Sequence, residues 1–207
     1  MHLDHGPAAD AVLAALDVLE TTLRGLRDED LLAASRCRGW TAGDVWAHVH
    51  LGLQEMLLGL VTPTGAAADT DAVQYWRAEG GGDDASRTPQ VRFVRLLSSA
   101  YREPTGLVAH ALPTIAGVRS AVSHLAPGRL AFQGHVLSTG DFLATWACEL
   151  AVHHLDTGAE LDLPAAAPAA LRIARTTGEA LDPGLAATVA AEPDAVAVAA
   201  LWRGAGG

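Results

Sequence analysis

The chain has 207 residues, half of them hydrophobic, and a formal charge of −10 from 24 acidic and 14 basic residues, so it offers no broad positive surface for nucleic acid. No uncharged apolar run reaches the ~20 residues that span a bilayer, and the N-terminus lacks a basic region followed by an apolar one. We therefore expect one soluble, cytoplasmic domain over residues 1–207, with no membrane or nucleic-acid partner.

Two amphipathic helices are predicted in the first third of the chain. Apolar residues recur at steps of three and four from Pro7 to Leu26, which predicts a helix that buries one stripe. Thr41 can cap a second helix, and Asp44 can reach back to it in a capping box that has Asp in place of Glu. This second helix is predicted over residues 41–61, before Pro63.

The next segment, residues 62–87, is rich in Ala, Gly and Asp and contains the glycines at 80–82. It is too long for an ordinary bundle turn, so it is either a crossover or a functional lid. Tyr75 and Trp76 form an aromatic island within it. They belong either to a lid over a site or to a small satellite core under the loop.

Helical patterns resume at Pro89, which suits the first turn of a third helix that runs until Pro104 intervenes. A continuation is predicted over residues 105–125, with a kink at Pro113. Residues 130–137 form a stretch short enough to be extended or irregular.

A fourth helix is predicted over residues 140–157, with Ser138 or Thr139 as its cap and Gly158 as its end. Helical patterns after it make up a C-terminal extension over about residues 164–203. The predicted fold class is all-α: a four-helix bundle with a long crossover loop and one or two extra C-terminal helices.

The fourth helix carries the pattern most suggestive of chemistry. In the stretch WACELAVHHLD, Glu149 and His153 stand four residues apart, and helical residues turn by ~100° each, so both lie on one face. A carboxylate and an imidazole facing an apolar interior need a partner, and a divalent metal accepts both. If the second and fourth helices are neighbours, His48 supplies a third ligand. Three protein ligands leave positions open, as in catalytic sites.

Other polar residues near this pattern have two alternative roles or a role apart from the ligands. Asp156, one turn beyond His153, either orients that ligand through a hydrogen bond or is solvated near the helix end. His154 points ~100° away and suits packing or solvent. Cys37 and Cys148 are each expected to be small, buried, apolar residues.

Residues 39–50, GWTAGDVWAHVH, together with the distal pair of Glu149 and His153, resemble the DinB-like metal-binding four-helix bundles, specifically the mycothiol-dependent maleylpyruvate isomerase N-terminal family. The resemblance covers roughly residues 10–157. It implies that His48, Glu149 and His153 bind a divalent metal, usually zinc, although this ligand set also suits nickel, iron and manganese.

The resemblance also implies mycothiol as a thiol cosubstrate. Actinobacteria with high-GC genomes make this thiol, and all basic residues of the chain are arginine, a composition associated with such genomes. A metal lowers the pKa of a bound thiol, and the thiolate can attack an electrophilic carbon. Characterised isomerases carry a further C-terminal domain, for which the predicted extension is too short, so we expect a substrate other than maleylpyruvate.

The leading hypothesis is therefore a metal-dependent, mycothiol-dependent transferase or isomerase acting on a small-molecule electrophile. Arg92, Arg95 and Arg119 are candidate anchors for a carboxylate of the thiol or substrate, with surface solubility as the alternative. A noncatalytic metal-binding or ligand-sensing bundle is the main alternative. A third is a bundle whose exposed apolar face makes a homodimer.

Overall fold

The computed structural model describes residues 2–79, 84–158 and 161–204. Within these ranges the chain is mostly helical, with one small β-hairpin, and the all-α prediction is confirmed. In chain order the elements are α1 His5–Gly25, α2 Asp28–Leu31, α3 Ala42–Leu60, α4 Ala72–Glu79, α5 Asp84–Ser98, α6 Gly106–His124, β1 Arg129–Phe132, β2 His135–Ser138, α7 Thr139–Asp156, α8 Pro168–Leu181, α9 Pro183–Val189 and α10 Asp194–Gly204.

Helices α1, α3, α6 and α7 form the bundle and enclose the main hydrophobic core. Helices α3 and α7 are antiparallel. The end of α3 meets the start of α7, where Gly59 packs against the ring of Phe142. The start of α3 meets the end of α7, where His48 lies beside Glu149. The two helices thus face each other over most of their length.

The neighbouring pairs α1–α7 and α3–α6 are parallel. At the starts of α1 and α7, the Nδ1 atom of His5 lies 2.9 Å from the Oγ1 atom of Thr139. His50 of α3 contacts Thr114 of α6, and Leu57, two turns further along α3, lies beside Gly117, one turn further along α6. Consecutive bundle helices that run parallel cannot be joined by a tight turn, so the chain between α3 and α6 must return along the bundle. The predicted crossover is this return, and it carries α4 and α5.

The aromatic island of the crossover belongs to the core. Tyr75 is buried and its ring lies 6.2 Å from that of Phe132, while Trp76 packs edge-on against Trp202 at 5.0 Å. Tyr75 belongs to the main core cluster and Trp76 packs against it, so the alternative of a separate satellite core is wrong, while a lid over the site stays a prediction. The glycines at 80–82 lie outside the described residues.

Helix α5 begins at Asp84, so the prediction that Pro89 stands in the first helical turn is wrong. Pro89 lies inside the helix, where its missing N–H leaves one carbonyl of the preceding turn without its intrahelical bond. The helix ends at Ser98, before the predicted stop at Pro104. Pro113 likewise lies inside α6.

Helices α3 and α7, which pack against each other, both begin with a side-chain cap. The Asp44 N–H donates to Thr41 Oγ1 at 3.2 Å, and the Thr41 N–H donates to Asp44 Oδ2 at 2.9 Å, which confirms the predicted capping box of α3. Ser138, rather than Thr139, caps α7, since its hydroxyl accepts from the Asp141 N–H at 3.0 Å. These caps fix the positions at which α3 and α7 begin.

Residues 130–137 resolve into a hairpin, because Gln133 and Gly134 both take positive φ angles of 48° and 82° in a two-residue turn. The C-terminal extension forms three helices, α8, α9 and α10, rather than the predicted one or two, because Pro183 begins a separate short helix directly after α8. Helices α8 and α10 pack on each other and on α7, and the Trp202 indole donates to the Ala174 carbonyl at 2.9 Å. None of the described helices has the length and apolar character needed to cross a membrane.

Gly59→Ala should destabilise the protein by about 1–3 kcal/mol, because overpacking a filled core strains it. An added Cβ would lie 2.7 Å from two ring carbons of Phe142, which is fully buried. Urea denaturation measures the loss. Gly117→Ala in α6 is the matched control, because its Cβ would make only an ordinary 3.8 Å contact, and it should stabilise by about 0.5–1 kcal/mol. Equal stability of the two variants would contradict the close approach.

Candidate metal centre

The antiparallel pairing of α3 and α7 brings together the three predicted ligands. The Nε2 atom of His48 lies 3.1 Å from Oε1 of Glu149, and the Nε2 atom of His153 lies 3.3 Å from the same oxygen. The two imidazole rings meet edge to face with their centroids 4.8 Å apart. The ligand atoms of the three residues all lie within 4.8 Å of one another.

The site is partly open to solvent. The side chains of His48, Glu149 and His153 are 21%, 16% and 15% exposed, so they are neither sealed in the core nor free on the surface. The indole of Trp40 covers one side, with its ring centroid 5.3 Å from that of His48. The cluster is therefore partly buried beside an aromatic ring.

The charges within the cluster stabilise one another. Burial alone would raise the pKa of Glu149, but the charge and hydrogen bonds of His153, and then those of His48, hold that pKa well below its ordinary value. Burial would lower the pKa of His153, but the negative charge of Glu149, with contributions from Asp156 and Cys37, raises it well above its ordinary value. The same nitrogen and oxygen atoms are those that a cation would contact.

The other nitrogen of His153 faces a second group of potential ligands. Its Nδ1 atom lies 3.3 Å from Oδ2 of Asp156, and Cys37 completes a cluster whose donor atoms are within 4.8 Å of one another. Asp156 is only 5% exposed, so the solvated alternative is wrong and a local partner is present. Burial would raise the pKa of Asp156, but His153 and Arg203 lower it.

Three residues at this site were not predicted from the sequence to belong to it. Cys37 is half-buried beside His153 and Asp156, so its prediction as a buried apolar residue is wrong. Its position follows from the loop before α3, whose Arg36 N–H donates to the Asp156 carbonyl at 2.8 Å. Trp40 lies within the motif of residues 39–50, but the motif alone gave it no role. Arg203 lies at the end of the C-terminal extension, where no local sequence pattern indicates a contact with the site.

Other histidines and the second cysteine have roles apart from the cluster. His50 is buried against α6, where it contacts Thr114. The Nε2 atom of His154 lies 2.8 Å from the Pro164 carbonyl oxygen, as expected for a packing residue. Cys148 is fully buried, and this burial raises the pKa of its thiol to about 12, in agreement with its prediction as an apolar residue.

The candidate arginine anchors divide into two groups. Arg119 of α6 is held by Asp17 and Glu20 of α1, so two carboxylates already engage its guanidinium. Arg92 and Arg95 are exposed on α5, and within the described part of the chain neither has a hydrogen bond or ion pair through its side chain. Helix α5 is in turn fastened to the first turn of α3 by the Ser98 hydroxyl, which donates to Asp44.

Comparison with known proteins supports this reading of the fold. The family model of the mycothiol maleylpyruvate isomerase N-terminal domain matches residues 12–158, and a match over this much of the chain establishes membership of that family. A solved structure, the crystal structure of the mycothiol-dependent maleylpyruvate isomerase, shares the fold with a TM-score of 0.54 at 15% identity, over 85% of this chain and 70% of that chain. No curated protein matches the chain.

The two cysteines should differ sharply in reactivity. In the native protein an aromatic disulfide reagent should modify Cys37 and spare Cys148, because a fully buried thiol with a raised pKa is neither accessible nor ionised. Both should react in denaturant. Absorbance at neutral pH counts the modified thiols, and Cys37→Ser should abolish the native reaction. Two reactive thiols in the folded wild type would contradict the burial of Cys148.

Proposed function

We propose that this chain, which belongs to the mycothiol maleylpyruvate isomerase N-terminal domain family, binds one divalent metal ion through His48, Glu149 and His153. One observation carries the proposal. A single carboxylate oxygen of Glu149 stands between the Nε2 atoms of two histidines that come from different helices. Pairing alone does not need a second histidine, whereas a metal uses all three donors.

The donor set fits a catalytic metal better than a structural one. Two imidazole nitrogens and one carboxylate oxygen suit zinc first, and nickel, iron or manganese as alternatives. Three protein ligands leave at least one coordination position open. The three side chains are also partly exposed to solvent, which supports access by a further ligand.

When bound, such a metal would lower the pKa of a coordinated thiol and hold the thiol in its reactive, ionised form. The protein side chains would then do the positioning. Asp156 would orient the ring of His153 through Nδ1, and Trp40 would restrict the ring of His48 by packing on it. Arg92 and Arg95 are the proposed anchors for a carboxylate on the thiol or substrate.

The family match and the shared fold support a mycothiol-dependent, isomerase-type enzyme. In an isomerase the thiolate adds to a conjugated double bond, the bond rotates as a single bond, and the thiol leaves again. In a transferase the thioether adduct is released. Mycothiol and a small electrophile are therefore the proposed partners, while a cytoplasmic location and a possible homodimer stay predictions.

Metal content tests the site directly. Wild-type protein purified with zinc should carry one metal ion per chain by elemental analysis, and His48→Ala, Glu149→Gln and His153→Ala should each retain less than about a tenth of that amount, because two ligands do not hold a divalent ion tightly. His50→Gln is the matched control on the same helix, since His50 faces α6, and it should retain the metal. Equal, substoichiometric metal in wild type and all variants would refute the site.

Thiol chemistry separates catalysis from sensing. With mycothiol and a panel of small electrophiles, the wild type should accelerate thiol adduct formation or isomerisation, a chelator should abolish the acceleration, and added zinc should restore it. His48→Ala should be inactive in the same assay, which follows free thiol and product together. A metal-loaded protein with no metal-dependent turnover across the panel would favour the noncatalytic, ligand-sensing alternative.

A further inference from the structure

The last described helix reaches back to the candidate metal centre. Arg203, near the end of α10, donates from Nε and Nη2 to Oδ1 of Asp156, at 3.0 and 2.7 Å. Nη2 also lies 3.5 Å from the Leu155 carbonyl oxygen. Both contacts are at the C-terminal end of α7, where free carbonyl groups favour a cation. Arg203 thus offsets both the negative charge of Asp156 and the partial negative charge of the free carbonyl groups at this helix end.

Asp156 needs this compensation more than most carboxylates. It is buried, and it stands at the negative end of the α7 dipole, which disfavours an anion. Arg203 engages one carboxylate oxygen, Oδ1, while the other oxygen, Oδ2, lies 3.3 Å from Nδ1 of His153. The division of the two oxygens links the guanidinium to the imidazole through one carboxylate.

The backbone that carries Arg203 is firmly held. Val198 on α10 is fully buried in the main core, and the neighbouring Trp202 donates its indole N–H to a carbonyl of α8. The Arg203 side chain is 35% exposed, so its loss would not open the core. Arg203 lies beyond residue 158, where the family match ends, so the matched segment alone lacks this contact.

We propose that Arg203 is a positioning residue of the metal centre, which fixes the ring orientation of His153 through Asp156, so that helix α10 completes the site. The proposal rests on the proposed function in so far as it concerns a bound metal. The ring orientation itself is a property of the metal-free protein, and it can be measured there.

A double-mutant cycle tests the link. The variants are Arg203→Gln, Asp156→Asn and the two combined, with Arg172→Gln on the exposed face of α8 as the charge-matched control. Zinc affinity is measured by competition with a chromophoric chelator. Asp156→Asn should weaken zinc binding by about 10–100-fold, the usual effect of removing a partner of a metal ligand. Arg203→Gln, which acts through Asp156, should weaken it by less, about 5-fold, and by less than about twofold in the Asp156→Asn background. Arg172→Gln should leave the affinity unchanged.

Equal losses from Arg203→Gln in both backgrounds, or no loss in either, would overturn the proposal. Arg203→Lys serves as a rescue variant, since it keeps the charge without the planar fork, and it should recover part of the affinity lost in Arg203→Gln.

The metal-free protein gives a readout that does not depend on the proposed function. The imidazole proton and carbon resonances of His153, assigned by comparison with His153→Gln, should move in Arg203→Gln and in Asp156→Asn, but not in Arg172→Gln. Adding Arg203→Gln to Asp156→Asn should cause little further movement. If the wild type bound no metal, the proposed function would fail while these resonances still decided the role of Arg203. Unchanged His153 resonances in Arg203→Gln would overturn the proposed positioning role of Arg203.

Discussion

An ionised carboxylate held between two helices needs compensation, and this requirement organises the whole end of the bundle where α3 meets α7. Glu149 receives it from His48 across the helix interface and from His153 one turn along its own helix. Each of these contacts depends on the axial match of two antiparallel helices. A shift of one residue along α3 would turn His48 by ~100° and remove it from the site.

The axial alignment of α3 with α7 is fixed at both ends of the helix pair. At one end the capping box of Thr41 and Asp44 determines where α3 begins, nearly two turns before His48. At the other end Gly59 allows the helices to approach closely enough for Phe142 to pack on backbone. The site therefore sits on regular, packed helices rather than on loops, which holds donor atoms at nearly constant distances.

Local patterns in the sequence predicted much of this arrangement, because helix periodicity and caps depend on residues close together in the chain. The spacing of Glu149 and His153 was sufficient to place both on one face. The pairing of α3 with α7 was a condition of the prediction, since it depends on the crossover that returns the chain. The positions of Cys37 and Arg203 depend on contacts with the end of α7 from distant segments, which no local pattern reveals. The single-domain prediction stays a prediction, although α8 shares the main core.

The structure also separates two requirements of the proposed reaction. Activation of a thiol would depend on α3 and α7, which the family match covers in full. Selection of the electrophile would depend on whatever borders the open side of the site, and helix α5 is tied to the same turn of α3 that precedes His48. This helix exposes Arg92 and Arg95 together with the apolar Phe93 and Leu96. If Arg92 and Arg95 anchor the substrate as proposed, substitutions on α5 would alter substrate selection, while the ligands on α3 and α7, and with them the proposed activation of the thiol, would stay unchanged.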